Sequence, residues 1–348
     1  MPTFNGEKTI LRTITSIAKQ KYRPLQLIVV DDKSQDSTAS LVEDFVRKTR
    51  FPSEFNIIHH KSNLGLSRSL NDGVKEARGK YILTLHQDCE LVSDNWIEKA
   101  LSLMSDEKVA VVTGYYGVTD IKDESFVKRA FGVLRKQFHS RPKHSCEKST
   151  FSEGKCDLYR KELLIKVGGF PTGYRIAGED LIVSYNLRKI GYSIMKCYDL
   201  QVIQRFGGPA ESFVGNLGKE FLFGKAMGGV FSEFKTFLFK SVNTNTMNYS
   251  ASRSIHRSSQ PLFAFFILAA LLAAIFLPWA LFLVIVLLGF RFAYYFLRVF
   301  PELKAYTHPL SHISLETILT SAIGILTDFF YSFGFVYGLV LHGLRKRL

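Results

Sequence analysis

The chain has 348 residues, with 45 Lys and Arg against 31 Asp and Glu and a formal net charge of +14. This length allows one large domain or two smaller ones and is ample for a buried core. No nucleic-acid motif or aromatic–basic repeat accompanies the basic excess, so we expect membrane lipids with anionic headgroups as partners and no nucleic acid. The four cysteines are widely spaced and include no Cys-x-x-Cys pair, which argues against a disulfide scaffold and favours a reducing compartment.

Helices and strands alternate over the first third of the chain. The periodicity of apolar residues predicts, in chain order, a helix at 7–20, a strand at 25–30, a helix around 41–46, a strand at 55–59, a helix at 67–77, a strand at 81–85, a helix at 94–104 and a strand at 108–113. Such alternation indicates an α/β fold with a doubly wound, mostly parallel sheet.

The start of the chain departs from this pattern. Residues 1–6 predict a turn that leads straight into a helix, so the strand that normally opens such a sheet is expected to be missing or truncated. Without that strand, its neighbours would keep unpaired backbone groups at the centre of the sheet.

Beyond residue 113 the pattern changes twice. Residues 115–155 are basic, contain His and Phe and show no clear period, which indicates a flexible loop. Order returns at 155–170, and a helix is predicted after Glu179. A Ser-, Asn- and Thr-rich stretch at 241–260 is typical of a linker.

Two long apolar segments follow the linker. Residues 261–290 contain no charged side chain and 317–342 contain only Asp328, so each is predicted to cross a membrane, which takes roughly 20 helical residues. The basic residues 345–347 place the tail in the cytoplasm by the positive-inside rule. Two crossings then give a multi-pass membrane protein with its soluble part on the cytoplasmic face, and a hairpin at Pro278 is the alternative.

Acidic residues occur at three places that a parallel sheet would bring together. Asp31-Asp32 follows the strand at 25–30, His86-Gln87-Asp88 follows the strand at 81–85, and Gly178-Glu179-Asp180 precedes a helix. The carboxyl ends of parallel strands converge on one crevice, where open α/β sheets bind ligands. The pattern predicts one site that holds a base or ribose, a metal-bridged diphosphate and a proton acceptor.

These positions and several short motifs resemble the family 2 glycosyltransferases. The resemblance covers residues 2–206 and rests on Pro2-Thr3-Phe4-Asn5, Ile28-Val29-Val30-Asp31-Asp32-Lys33-Ser34-Gln35-Asp36, Asn63-Leu64-Gly65, Asn71-Asp72-Gly73, Ala77-Arg78-Gly79, Val167-Gly168-Gly169-Phe170 and Gly178-Glu179-Asp180. It implies a GT-A-like, nucleotide-sugar-binding catalytic domain over 1–240, followed by the linker 241–260 and the membrane region 261–348.

The same resemblance assigns the nucleotide pocket. Pro2, Thr3 and Glu7 would line it, and Asp31 or Asp32 would hydrogen-bond the base. The ligand expected there is a nucleoside diphosphate sugar.

The resemblance also assigns the metal and the base. His86-Gln87-Asp88 stands where the family has Asp-x-Asp, so Asp88, with His86, would hold a divalent cation, Mn²⁺ or Mg²⁺, that bridges the diphosphate. His86 and Gln87 would also contact the donor. Because His is a better ligand for Mn²⁺ than for Mg²⁺, the replacement of the first Asp leaves the metal preference open. Asp180 matches the catalytic base, with Glu179 in support.

The resemblance therefore predicts a membrane-anchored, inverting glycosyltransferase. The donor is a nucleoside diphosphate sugar, and the acceptor is a hydroxyl of a lipid-linked glycan in cell-surface glycan or glycoprotein assembly. A polyprenyl-phosphate sugar synthase is one alternative, although its anionic acceptor needs no base. A non-catalytic nucleotide-sugar-binding or scaffolding protein is the other.

Two further features of the sequence have alternative interpretations. His139, His144, Cys146 and Cys156 could form a zinc site, but their spacing matches no standard pattern. Asp328, inside an apolar segment, is either a functional residue or a polar contact between helices.

Overall fold

The computed structural model describes residues 1–49, 51, 54–118, 125–136, 145–173, 178–205, 212–234, 249–304 and 310–345. The elements are, in chain order, β1 (Pro2–Thr3), α1 (Ile10–Ala18), β2 (Gln26–Asp31), α2 (Thr38–Thr49), β3 (Glu54–His59), α3 (Leu66–Glu76), β4 (Tyr81–Leu85), β5 (Cys89–Leu91), α4 (Trp96–Leu103), β6 (Val109–Val118), α5 (Phe126–Lys136), β7 (Cys146–Ser149), β8 (Cys156–Arg160), α6 (Lys161–Lys166), α7 (Glu179–Lys189), β9 (Ser193–Gln204), α8 (Phe213–Phe234), α9 (Tyr249–Ala273), α10 (Ala280–Lys304) and α11 (Leu310–Arg345).

The chain divides into two compact units. The first consists of Met1–Thr119, Arg141–Gly208 and Ser241–Thr246, and the second of Asp120–Ser140, Pro209–Lys240 and Met247–Leu348. The domain boundaries expected from the sequence, at 240 and 260, stay a prediction, because compactness does not measure which residues carry the function.

The first unit begins with a parallel three-stranded sheet in the order β1-β2-β3. Pro2 lies opposite Val30 and Thr3 opposite Asp31. The expectation that the first strand is missing was therefore wrong, whereas the alternative, a truncated strand, stays a prediction. A two-residue strand shows no period in the sequence, yet it pairs part of the backbone of β2, since the Val30 N–H donates to the Met1 carbonyl at 2.9 Å.

The second sheet of this unit has the order β4-β8-β6-β9-β5, with β7 also paired to β9. β6 and β9 are parallel, whereas β4–β8, β6–β8, β5–β9 and β7–β9 are antiparallel. The α/β class is confirmed. The predicted mostly parallel pairing holds for the first sheet and for the pair of β6 with β9. It was wrong for the rest of the second sheet, where β4 and β5, both within the first 113 residues, pair antiparallel with β8 and β9 from the later part of the chain.

Hydrophobic clusters cover both faces of the second sheet. Val112 and Leu158 belong to one cluster, and their chain neighbours Val111 and Tyr159 belong to the other. Because successive side chains on a strand point to opposite faces, the central strands are buried on both sides. This burial holds the strand ends that carry the candidate site in fixed positions.

A disulfide joins Cys146 on β7 to Cys197 on β9, with the Cα atoms 4.1 Å apart. The expectation drawn from the cysteine spacing was wrong for this pair, because the two residues are brought together by strand pairing over 51 residues of sequence. Cys89 and Cys156 are buried and free. Cysteine usage therefore no longer argues for a reducing compartment.

In the second unit, α8 and α11 pack with their backbones in direct contact. A Cβ atom on Gly224 or Gly228 would overlap the backbone of α11 at Tyr331 or Phe335, and one on Gly334 or Gly338 would overlap the backbone of α8. Each helix thus presents a pair of glycines four residues apart, the small-residue spacing that lets two helices approach closely.

The apolar segment at 261–290 is not a single helix. α9 ends at Ala273, α10 begins at Ala280, and Pro278 lies in the connection. Arg291 donates to the Ser259 hydroxyl at 3.1 Å, so α10 runs back along α9 as a hairpin. The expectation of one long crossing over 261–290 was therefore wrong, and the alternative, a hairpin at Pro278, agrees with the structure.

Asp328 lies at the contact of α9, α10 and α11 and is fully buried. It accepts hydrogen bonds from Gln260 at 2.9 Å, from Arg291 at 2.7 Å and from the Tyr295 hydroxyl at 2.7 Å. Of the two interpretations of Asp328, the structure supports the polar contact between helices. Removing one partner of such a buried pair typically costs about 3–5 kcal/mol, because the other charge is left uncompensated.

Two helices of the described residues are long and apolar enough to cross a membrane by length and composition, within Ala280–Lys304 and Leu315–Gly343. Only 17% of the apolar window of α10 is buried inside the protein, compared with 50% for α11. The apolar part of α9, Ser259–Ala273, is shorter. Taken alone, these features suggest membrane association only weakly.

Candidate functional site

The two aspartates after β2 have different surroundings. Asp32 is buried and accepts hydrogen bonds from the backbone N–H groups of Leu64, at 2.7 Å, and Gly65, at 2.8 Å. Its Oδ1 also lies 2.8 Å from His60 Nδ1. Asp31 accepts from the Ser34 N–H at 3.2 Å. The Asp32 carboxylate therefore holds the loop before α3, whereas the Asp31 carboxylate bonds to the turn after β2.

Gln87 joins the end of β4 to the turn after β1. Its side-chain amide both accepts from the Phe4 N–H and donates to the Phe4 carbonyl, each at 2.9 Å. A Cβ on Gly6 would overlap the end of this side chain, so a larger residue there would displace the Gln87 amide. The predicted pocket residue Glu7 accepts from the Ser37 N–H at 3.2 Å, next to the start of α2. Gln87 thus brings the first two predicted positions together.

His86 occupies the place where a first carboxylate was expected. Burial lowers the pKa of its imidazole from 6.5 to about 4, against the smaller opposing effect of Asp88, so the ring is neutral at pH 7. Its backbone N–H donates to the Lys155 carbonyl at 2.9 Å. Its Nε2 is buried and has no hydrogen-bond partner among the described residues.

Asp88 is half-buried and is held by a side chain from β9. Gln204 Nε2 donates to Asp88 Oδ2 at 2.9 Å, and Lys155 Nζ donates to Gln204 Oε1 at 2.5 Å. Within the described part of the chain, no group of three or more His, Cys, Asp or Glu is placed to hold a metal ion. A neutral imidazole with an open nitrogen and a carboxylate two residues away nevertheless fit a cation whose other ligands come from a bound diphosphate.

Asp180 lies in the first turn of α7, after Gly178, which takes φ +100°. Its Oδ1 accepts from the Leu181 N–H at 2.8 Å. Gly154, at φ +77°, lies so close that a Cβ there would be 3.0 Å from Asp180 Oδ2. Because the helix cap is Gly178 and shows no side-chain cap bond, a capping role does not account for Asp180.

Glu179 is buried beside Asp180. Burial, reinforced by the charge of Asp157, raises the pKa of Glu179 from 4.5 to about 7. Its Oε2 has no hydrogen-bond partner in the described ranges. Glu179 is therefore substantially protonated at neutral pH, whereas a carboxyl in water would be ionised.

Asp157, which lies on β8, was not among the residues predicted from the sequence. It is fully buried and accepts hydrogen bonds from Thr113 Oγ1 at 2.5 Å, from the Gly154 N–H at 2.8 Å and from the Tyr159 hydroxyl at 3.0 Å. Burial raises the pKa of Asp157 from 3.8 to about 6, although these hydrogen bonds lower it. In the sequence, Asp157 differs from its neighbours as the one acid of a segment whose other residues are apolar, aromatic or basic.

The zinc site considered at His139, His144, Cys146 and Cys156 was wrong for Cys146, because this residue forms a disulfide with Cys197. His139 and His144 lie outside the described residues.

Comparison with known proteins identifies similar sequences. Residues 1–168 match the family model "Glycosyl transferase family 2". Glycosyltransferase GlyG of Streptococcus pneumoniae is 27% identical over 126 residues, which cover 36% of this chain and 40% of that protein. Poly-beta-1,6-N-acetyl-D-glucosamine synthase of Staphylococcus epidermidis is 24% identical over 197 residues, 55% of this chain and 45% of that protein. The chain thus spans less than half the length of these relatives.

One solved structure is similar over most of the chain. The mannosyltransferase PcManGT of Pyrobaculum calidifontis, solved in complex with GDP-mannose and Mn²⁺, superposes with a TM-score of 0.60. The match covers 97% of this chain and 85% of that one, at 17% identity. At this identity the similarity establishes the fold, and the GT-A-like fold predicted from the sequence is confirmed.

Proposed function

We propose that this chain, whose residues 1–168 match the model of glycosyl transferase family 2, transfers a sugar from a nucleoside diphosphate donor to an acceptor hydroxyl with inversion at the anomeric carbon. The observation that carries the proposal is the position of the turn His86–Asp88 between the two other acidic positions. Gln87 bonds to Phe4 on the nucleotide side, and the His86 N–H bonds to Lys155, the neighbour of Gly154 on the Asp180 side.

In this proposal the nucleotide lies at the ends of β1 and β2. Pro2, Thr3 and Glu7 line its pocket. Asp31 hydrogen-bonds the nucleobase, because the Asp32 carboxylate is already bonded to the N–H groups of Leu64 and Gly65. Asp180 accepts the proton of the acceptor hydroxyl as it attacks. Glu179, whose pKa burial raises to about 7, is only partly ionised at neutral pH and adds less than a full second charge beside it.

We place a divalent cation at Asp88, with the neutral His86 imidazole as a second donor. The presence of Mn²⁺ in the solved mannosyltransferase supports a cation in this fold. When bound, such an ion neutralises the charge that develops on the departing diphosphate. The imidazole favours Mn²⁺ over Mg²⁺, because Mg²⁺ prefers oxygen ligands.

The proposed acceptor is a lipid-linked glycan, and the proposed location is a membrane. α9 and α10 are the two crossings, since the hairpin returns the chain to the side that it left. The apolar helix of the first crossing, Ser259–Ala273, is shorter than the roughly 20 residues of a transmembrane helix, so residues 274–277 of the connection would complete it. α11, half buried by its neighbours, then stays on the cytoplasmic side with the basic residues 345–347 and the catalytic domain.

Trp279, in the connection between α9 and α10, reports on this arrangement. It is 68% exposed, whereas the other tryptophan, Trp96, is fully buried. In vesicles of lipids brominated on the acyl chains, we expect the emission of the wild type to be quenched and that of Trp279→Phe to be unchanged. Equal emission of the wild type in brominated and plain lipids would exclude insertion of the hairpin. Phenylalanine keeps the connection between α9 and α10 apolar, so the variant should still insert. Loss of quenching then shows that the signal comes from Trp279.

The activity is tested with full-length protein, a panel of nucleotide sugars, Mn²⁺ or Mg²⁺ and a membrane lipid extract. We expect one donor to be consumed, with its labelled sugar recovered in the lipid fraction. Binding of a donor without turnover in every combination would instead favour the non-catalytic alternative, which the His86 substitution motivates. Transfer to a polyprenyl phosphate that persists without Asp180 would favour the sugar-phosphate synthase.

A further inference from the structure

Residues 152–155 form a loop that links both sides of the candidate site; we call it the 152–155 loop. On the proposed function, which this inference presupposes, the base Asp180 and the cation ligand Asp88 must keep a fixed separation. We propose that Asp157 is a positioning residue, which anchors the 152–155 loop so that Gly154 holds the Asp180 carboxylate in place while Lys155 orients Asp88.

The contact with the base is made by Gly154. A Cβ at this residue would be 3.0 Å from Asp180 Oδ2 and 3.2 Å from Asp180 Cγ, so the backbone of the loop lies directly against the carboxylate. The φ of +77° is one that residues with a Cβ rarely adopt. Close approach and backbone conformation both require glycine, and the loop limits where the carboxylate can move.

The contact with the cation side is made by the next residue. The Lys155 carbonyl accepts from the His86 N–H at 2.9 Å. The Lys155 ammonium donates to Gln204 Oε1 at 2.5 Å, and the Gln204 amide donates to Asp88 Oδ2 at 2.9 Å. The amide of Gln204 is therefore oriented by Lys155 so that its NH₂ group faces Asp88. Adjacent loop residues thus act on the two carboxylates that the reaction needs, Gly154 by direct contact with Asp180 and Lys155 through Gln204 on Asp88.

Asp157 supplies the anchor. Its Oδ2 accepts from both the Gly154 N–H and the Tyr159 hydroxyl, and its Oδ1 accepts from Thr113 on the neighbouring strand. The loop is fixed further by Ser152, whose N–H donates to Ser184 Oγ on α7 at 2.9 Å. Since Asp157 lies on a strand that is buried on both faces, it transmits the rigidity of the sheet to the loop.

The test compares Asp157→Ala with Asp157→Asn in the full-length protein. The alanine variant loses every anchor bond, and we expect kcat to fall about 10–100-fold, since a displacement of about 1 Å can cost 10²-fold. Donor affinity, measured by calorimetry, should stay within about threefold, because no nucleotide contact is removed. The asparagine variant can still accept from Gly154 and donate to the Thr113 hydroxyl oxygen, so it should recover most of kcat.

The controls separate the possible outcomes. Asp199→Ala, an exposed acid on β9, should leave kcat unchanged. If Asp157→Ala fails to fold, Gly154→Ala tests the same contact and should also lower kcat without weakening donor binding. An unchanged kcat in the folded Asp157→Ala variant overturns the positioning role, as does an inactive Asp157→Asn, which would make Asp157 a proton carrier. A wild type that transfers no sugar would instead contradict the proposed function.

Discussion

Replacing Asp180 with asparagine is expected to lower kcat by about 10²–10⁴-fold, the range of a general base. Asparagine has nearly the volume of aspartate and can still accept from the Leu181 N–H, so the start of α7 and its contact with Gly154 should be preserved. It cannot take a proton from the acceptor. Donor binding by calorimetry should therefore match the wild type while transfer, followed with a labelled sugar, is lost.

The matched control is Glu162→Gln. Glu162 is an exposed acid in the first turn of α6, the neighbouring helix in the chain, and its neutralisation should leave kcat within about twofold, as for surface substitutions generally. Full activity of Asp180→Asn would remove Asp180 as the base, and Glu179→Gln would then have to be the inactive variant.

The second large effect is expected from Asp88→Ala. Loss of this carboxylate should weaken Mn²⁺-dependent donor binding by more than about 100-fold, since even the outer partners of metal ligands are worth about 10–100-fold in affinity. Calorimetric titration of the donor, with Mn²⁺ and with a chelator, measures the difference. In the wild type the chelator should abolish most of the binding, and in the variant it should change little.

Asp94→Ala serves as the control for Asp88. Asp94 lies six residues further along the chain and pairs with Lys21 at 2.9 Å on the surface, where a salt bridge is worth at most about 1 kcal/mol. Its donor affinity should equal that of the wild type. Mn²⁺-dependent binding that survives in Asp88→Ala would show that the cation lies elsewhere.

The helices and strands whose apolar pattern is local could be predicted from the sequence. Strands β2, β3 and β4 and the helices between them follow the apolar period, because each is a local pattern with one buried face. The pairing of β8 between β4 and β6, and of β7 with β9, is set by contacts between distant residues. The same reason hid the Cys146–Cys197 bond, which depends on that pairing.

The candidate site divides in the same way. Asp31, Asp88 and Asp180 were identified because they stand in short motifs at strand or helix ends. Asp157 stands inside a strand, and its importance arises only from the donors that other elements bring to it. The separate uses of Asp31 and Asp32 could not be predicted either, because the N–H groups that engage Asp32 come from a loop about thirty residues away.

The glycine pairs of α8 and α11 also determine when the second unit can fold. Gly224 and Gly228 need Gly334 and Gly338 as their counterpart, and about a hundred residues are synthesised in between, which takes a ribosome roughly 5–20 s. During that interval the glycine face of α8 is not covered by α11. A chain truncated before α11 should therefore leave the second unit less stable, because α8 lacks the helix that its glycines contact.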